Sequence, residues 1–211
     1  AKLLLEIKAV NFRLDDPFIL TSGWASPVYI DCRKLISYPK ERQKMMDLAV
    51  QLLDDKIDFN KVDTVAGGET AGIPYAAWIT QSTNKPMLYV RKKPKGFGRN
   101  AQIEGSLKEG SNVLLVEDLA TDGASKISFV NALRKAGAVV NDAFVVFFYG
   151  IFSGTLETLE KEGITLHYLA TWHDILQVAM EGEYFPNSSI EGVKNFLDNP
   201  ITWSKKNGGK G

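Results

Sequence analysis

The stretch from Asn112 to Ser125, NVLLVEDLATDGAS, constrains this chain more than any other. The apolar run Val113 to Val116 is long enough for a buried parallel strand and too short for a helix. Two carboxylates, Glu117 and Asp118, stand at the end of that strand. Ala120 to Ser125 is a small-residue turn, and Lys126 to Ala136 reads as a helix. In open α/β sheets ligands bind at the carboxyl ends of strands. A turn entering a helix there presents backbone N–H groups, where phosphate binds well. Gly123 lets the backbone come close, and Thr121 and Ser125 add hydroxyl donors. The two acids would repel phosphate, so they are expected to face sugar hydroxyls, a metal or a developing positive charge. The GxxxxGK[ST] spacing of a Walker loop is absent.

The rest of the composition narrows the class. A chain of 211 residues makes one domain, or a core with a small appendage. Lys+Arg and Asp+Glu each total 25, and a net charge of zero disfavours broad electrostatic binding to nucleic acid. The one cysteine, Cys32, excludes an intrachain disulfide framework, and a reducing, cytoplasmic location is expected. No apolar stretch approaches the roughly 20 residues needed to span a bilayer. The opening AKLLLEIKAV is interrupted by Glu6 and Lys8. It reads as a short amphipathic helix with Leu4, Leu5 and Val10 inward, not as a secretory signal. The terminal KKNGGKG is expected to be disordered.

Along the chain, Phe18 to Arg33 reads as two short strands around a turn at Ser22-Gly23-Trp24, with Val28, Ile30 and Cys32 alternating against Tyr29, Asp31 and Arg33. Pro39 opens a helix to about Lys56 with an apolar stripe of Met45, Leu48, Ala49, Leu52 and Leu53. Val62 to Ala66 is a second buried strand, ending in the small-residue turn Gly67 to Gly72 and followed by a helix from about Ile73 to Ser82. Two such strand–turn–helix units in one sheet suit a ligand with phosphates at both ends. Met87 to Val90 is the next strand. After it, Arg91 to Asn100 carries five cations and no acid, interrupted by Pro94, Gly96 and Gly98. A run of this kind repels itself when unpaired. Between two phosphate turns it reads as a lid that closes over a polyanion. Val139 to Phe148 and Ile164 to Ala170 are the last strands, and Trp172 to Met180 and Ile190 to Leu197 the last helices, the second capped by Ser188 or Ser189. His167 and His173 have no neighbouring Cys or second His and read as structural or surface residues, not zinc ligands. Alternating strands and helices from about 39 to 170 argue for a parallel sheet covered on both faces.

VEDLATDGAS resembles the phosphoribosyl pyrophosphate (PRPP) signature of type I phosphoribosyltransferases. Within that family, FxLxSGxxSPxYxDxR and RKKPKG resemble the orotate phosphoribosyltransferase branch. The resemblance covers roughly residues 12 to 170. It implies an α/β type I phosphoribosyltransferase fold: a hood and N-terminal segment at 1–38, a core at 39–175, and C-terminal helices with a tail at 176–211. It assigns catalysis to Lys95, Asp118 and Glu117. PRPP is held by Arg91, Lys92, Lys95, Thr121, Asp122, Gly123, Ala124 and Ser125, and its pyrophosphate by Glu69, Thr70, Ala71 and Gly72. The base contacts Thr21, Ser22, Gly23 and Tyr29. Magnesium is the cofactor, bound mainly through PRPP and water, and the partner is a second copy whose site receives the basic loop.

The chain departs from the family pattern in several places. Thr21, Ala71 and Phe97 stand where relatives carry Lys, Lys and His, and Tyr149-Gly150-Ile151 replaces an Asp-Arg pair whose Arg contacts orotate. Asp122 is an acid inside the phosphate loop and must point outward if that loop is to bind phosphate well. A purine or xanthine phosphoribosyltransferase and a non-catalytic PRPP-sensing regulator are the alternatives on the same fold.

Overall fold

The computed structural model describes residues 1–20, 23–96 and 102–210. Its centre is a six-stranded sheet built from β5 (Thr64–Gly68), β6 (Met87–Val90), β7 (Ile103–Glu104), β8 (Asn112–Ala120), β9 (Val139–Phe148) and β10 (Thr165–Ala170). The preceding strands, β1 (Val10–Phe12), β2 (Phe18–Ile19), β3 (Ala25–Ser26) and β4 (Val28–Ile30), form the small N-terminal hood. The strand order is β10-β9-β8-β5-β6-β7, parallel throughout except for the antiparallel edge strand β7. Helices α1 (Lys2–Glu6), α2 (Pro39–Lys56), α3 (Gly72–Thr83), α4 (Ala124–Lys135), α5 (Thr155–Lys161), α6 (Trp172–Glu181), α7 (Asn187–Asp198) and α8 (Pro200–Lys206) complete the chain.

The sheet is buried on both faces, which is why β8 reads as an unbroken apolar run. Val113 and Leu115 pack with Phe129, Val130 and Leu133 of α4 and Leu159 of α5. Leu114 and Val116 enter the opposite cluster with Leu53 of α2, Tyr75 and Ile79 of α3, and Trp172 of α6. No helix among the described residues is long and apolar enough to cross a membrane.

Several local expectations shift. Strand β8 does not stop at Val116 but pairs with β9 through Ala120↔Phe148, so both acids lie inside a paired strand. The segment Phe18 to Arg33 makes three short strands in two pairs, β2 with β3 and β4 with β1. Val10 therefore belongs to a strand rather than to the opening helix. Strand β4 ends at Ile30 because the Asp31 carboxylate accepts the Arg33 N–H (3.2 Å) and starts a 3-10 turn, Cys32–Ser37. On α2, Leu48 is 49% exposed and Met46, at 1%, takes its place inward. Helix α7 begins right after Pro186, and neither Ser188 nor Ser189 caps it.

The C-terminal segment through Lys210 is ordered, contrary to expectation, because it finds hydrogen-bond partners on the hood, and Gly211 lies outside the described residues. The buried Ser204 hydroxyl on α8 accepts the Ala25 N–H (3.0 Å) and donates to the Lys210 carbonyl (2.6 Å). The Lys210 N–H donates to the Gly23 carbonyl at 2.8 Å. A Cβ on Gly209 would lie 2.2 Å from the Ala25 nitrogen, so only glycine lets the tail lie this close.

Candidate active site

The site grows out of neighbouring strands at their carboxyl ends. Strands β5 and β8 are paired in parallel, with Gly67 opposite Val116, so their two turns sit side by side. The first turn, Gly68 to Gly72, fits so tightly that a Cβ on Gly72 would meet the Val116 carbonyl at 2.3 Å. It enters α3 at Ala71 with no side-chain cap, leaving first-turn N–H groups available to an anion. The Glu69 carboxylate is committed: it accepts the Lys92 N–H at 2.8 Å and ties this turn to the start of the basic loop. Thr70 is exposed beside it.

The second turn, Thr121 to Ser125, leads from β8 into α4. Gly123 sits at φ +79°, a left-handed conformation that favours glycine, and precedes α4 without a side-chain cap of its own. Asp122 is exposed, yet it does not leave the turn free. Its carboxylate turns back and accepts the Ala124 N–H at 3.1 Å, the local side-chain-to-backbone bond that Asp favours in turns. One of the turn's N–H donors is thus occupied by the chain's own acid.

Glu117 and Asp118 are separated by the pleat of β8, which sends adjacent side chains to opposite faces. Glu117, 8% exposed, lies on the α4 face, where Lys126 Nζ pairs with its Oε2 (2.5 Å) and Ser125 Oγ donates to the same oxygen (3.2 Å). Asp118 faces the hood side, where Arg33 is among the charges acting on it. Burial pushes the Asp118 carboxyl above the usual carboxylate range, and Lys126 and Arg33 oppose that shift.

The basic loop leaves β6, the other neighbour of β5. Arg91 is held at its base: its N–H donates to the Gln102 carbonyl (2.8 Å), and its guanidinium lies 3.4 Å from Glu104 Oε1. Lys95 pairs with the same Glu104 oxygen. The Lys95 ammonium, then the Arg91 guanidinium, hold Glu104 below the usual carboxylate range. Arg91 Nε is buried without a hydrogen-bond partner among the described residues. Lys92 and Lys95 are exposed.

The hood leans over the far side of the site. The Trp24 ring packs 5.2 Å from Phe152, just beyond β9, and Lys210 Nζ lies 5.4 Å from the same Trp24 ring. The Thr155 hydroxyl lies within donating distance of the Phe152 carbonyl (3.3 Å) and the Thr121 carbonyl (3.4 Å), bringing this corner against the second turn. Tyr29 is half-buried, its ring tilted against Phe18 at 5.2 Å and its hydroxyl accepting from Arg33 (3.4 Å). Gly23 sits at φ +87°. Thr21 and Ser22 lie outside the described residues. His167 pairs with Asp142 (2.7 Å) between β9 and β10, and His173 is exposed on α6.

Lys126 is the residue that sequence reasoning missed. A signal was present: Lys126 stands on the apolar stripe of α4, one turn before Phe129 and Val130, where an unpaired cation does not belong.

Two adjoining strand–turn–helix units beside an acid-bearing central strand are the arrangement of a phosphoribosyltransferase core. The family model for the phosphoribosyl transferase domain matches residues 34–150. The orotate phosphoribosyltransferase of Sinorhizobium medicae is 51% identical over 211 residues, all of this chain and 91% of that protein. Its counterpart in Cereibacter sphaeroides (strain ATCC 17029 / ATH 2.4.9) is 54% identical over 204 residues, covering 96% of this chain and 88% of that protein. The crystal structure of orotate phosphoribosyltransferase from Aeropyrum pernix superposes with a TM-score of 0.74 at 35% identity, covering 86% of this chain and 98% of that one. The chain belongs to the orotate phosphoribosyltransferase family.

Proposed function

We propose that this protein transfers the 5-phosphoribosyl group of PRPP to N1 of orotate, giving orotidine 5′-monophosphate and pyrophosphate in de novo pyrimidine (UMP) synthesis. The observation that carries the reading is the full-length relationship at 51% identity, which includes the hood as well as the two phosphate turns.

The reaction replaces a C–O bond at the anomeric carbon with a C–N bond, with inversion. Positive charge grows on the ribose while negative charge grows on the departing pyrophosphate. A site matched to that transition state sets an acid against the sugar and cations against the leaving group. In this reading the turn from Thr121 to Ser125 holds the 5′-phosphate and the turn from Glu69 to Gly72 holds the pyrophosphate. Asp118 faces the ribose. Arg91, Lys92 and Lys95 cover the pyrophosphate, and closure of their loop excludes water. Thr21, Ser22, Gly23 and Tyr29 receive the base. Magnesium, the expected cofactor, would be held mainly by PRPP oxygens and water and would neutralise pyrophosphate charge.

An assay of PRPP and magnesium against a panel of bases tests the assignment. Orotate is consumed, read as loss of its absorbance, and adenine, hypoxanthine and guanine are not. Turnover of any purine at a rate comparable to orotate overturns it.

We further propose a homodimer in which the basic loop acts in the neighbour's site. From Arg91 to Glu104 the loop has about 14 residues and, doubled back, reaches some 20 Å. Mixing the impaired Lys95→Ala and Asp118→Asn proteins under conditions of subunit exchange raises activity to roughly a quarter of wild type above the residual activity of each, since half the dimers are mixed and one of their two sites is intact. No recovery despite demonstrated exchange excludes the shared site.

A further inference from the structure

We propose that Lys126 is a positioning residue for PRPP: its buried ammonium neutralises Glu117 from beneath the phosphate turn and so frees the Ser125 hydroxyl for phosphate. The inference rests on reading Thr121 to Ser125 as the 5′-phosphate loop.

Lys126 is 3% exposed, and its ammonium has three N–H donors and three acceptors. One is the Glu117 carboxylate at 2.5 Å on β8. The second is the Leu119 carbonyl, on the last stretch of the same strand. The third is the Ser125 hydroxyl at 3.2 Å, in the first turn of α4. One side chain thus joins both ends of the turn that runs from Leu119 to Ser125. An ammonium this deeply buried is tolerated only with its charge paired and its donors satisfied.

The arrangement also decides where the Ser125 proton goes. Ser125 Oγ accepts from Lys126 and donates to Glu117. A serine hydroxyl has one proton. Because Lys126 already compensates Glu117, Ser125 can turn that proton to an arriving phosphate without leaving the carboxylate unpaired. Without Lys126, the Glu117 anion would hold the Ser125 proton and place an uncompensated negative charge under the phosphate turn. Like charge at such a site weakens anion binding. The effect falls on ground-state PRPP binding, because the 5′-phosphate does not change charge during the reaction.

The test compares Lys126→Met, Glu117→Gln and the double variant, with PRPP binding by calorimetry, steady-state kcat and KM, and thermal stability measured on each. Lys126→Met is expected to weaken PRPP binding and raise its KM by roughly 10- to 100-fold, while kcat changes by less than about threefold. The double variant, which removes the stranded charge together with the cation, should return PRPP affinity to within about fivefold of wild type. A purely structural lysine would lower the melting temperature and leave the PRPP KM of the folded protein unchanged, which overturns the proposal. A kcat loss at constant KM, or a double variant no better than Lys126→Met, also overturns it. Should Lys126→Met fail to fold, the double variant still decides: PRPP affinity within about fivefold of wild type supports the charge argument, and a larger loss refutes it. Gly123→Val separates the two levels of inference. If it leaves PRPP binding intact, the phosphate-loop reading itself falls. If it abolishes binding while Lys126→Met does not weaken it, only the role of Lys126 falls.

Discussion

Asp118→Asn is expected to lower kcat by roughly 10- to 1000-fold, with a smaller change in the KM for PRPP. The substitution keeps the shape of the side chain and removes only its charge. That charge matters most when the ribose becomes cationic, and a half-buried carboxylate acts through a lower effective dielectric than one in water. Of the two adjacent acids, Asp118 is the one not already paired with a lysine. The pH profile supplies a second reading. Burial pushes the Asp118 carboxyl up, so its anionic form is lost as pH falls through a value above the ordinary carboxylate range of about 3.9. The acid limb of kcat/KM for PRPP therefore lies above that range, and Asp118→Asn removes it. Near-wild-type turnover in the variant would sink the assigned role.

Gly123→Val is expected to abolish measurable PRPP binding. The backbone there sits at φ +79°, where a β-branched residue is strongly strained. A Cβ would also meet the Leu159 side chain at 3.1 Å, so the turn is pressed against α5 from one side. Relieving that contact and the backbone strain moves the turn, and with it the N–H groups that the 5′-phosphate needs in the proposed reading. Strain of this kind costs about 1–3 kcal/mol, which lowers the melting temperature but leaves the fold assembled. Calorimetry with PRPP, alongside circular dichroism, is the measurement. Unchanged affinity refutes the role of the turn.

Much of the scaffold was legible from local chemistry. Met87–Val90 and Val139–Phe148 form strands at the expected bounds, and α2 runs from Pro39 to Lys56 as expected. Short apolar runs with two buried faces, Pro at a helix start and small residues at turns act through nearest neighbours, so they can be read in one dimension. The same holds for the motifs that resemble the family, since each is contiguous.

Features that depend on distant partners were not legible. The run Val113 to Val116 marked a strand, but pairing with the long β9 carried β8 on to Ala120. That extension places Glu117 and Asp118 under the pleat's alternation and sends them to opposite faces. The tail through Lys210 lacks any local preference for order, yet Ser204 and, far away in sequence, Gly23 and Ala25 take part in the hydrogen bonds that fix it. Lys126 shows the division most clearly. Its place on the apolar stripe of α4 is a property of the sequence, but a buried ammonium is stable only where counter-charge and acceptors meet it. Only the folded arrangement of β8 against α4 brings the Glu117 carboxylate and the Leu119 carbonyl to that point.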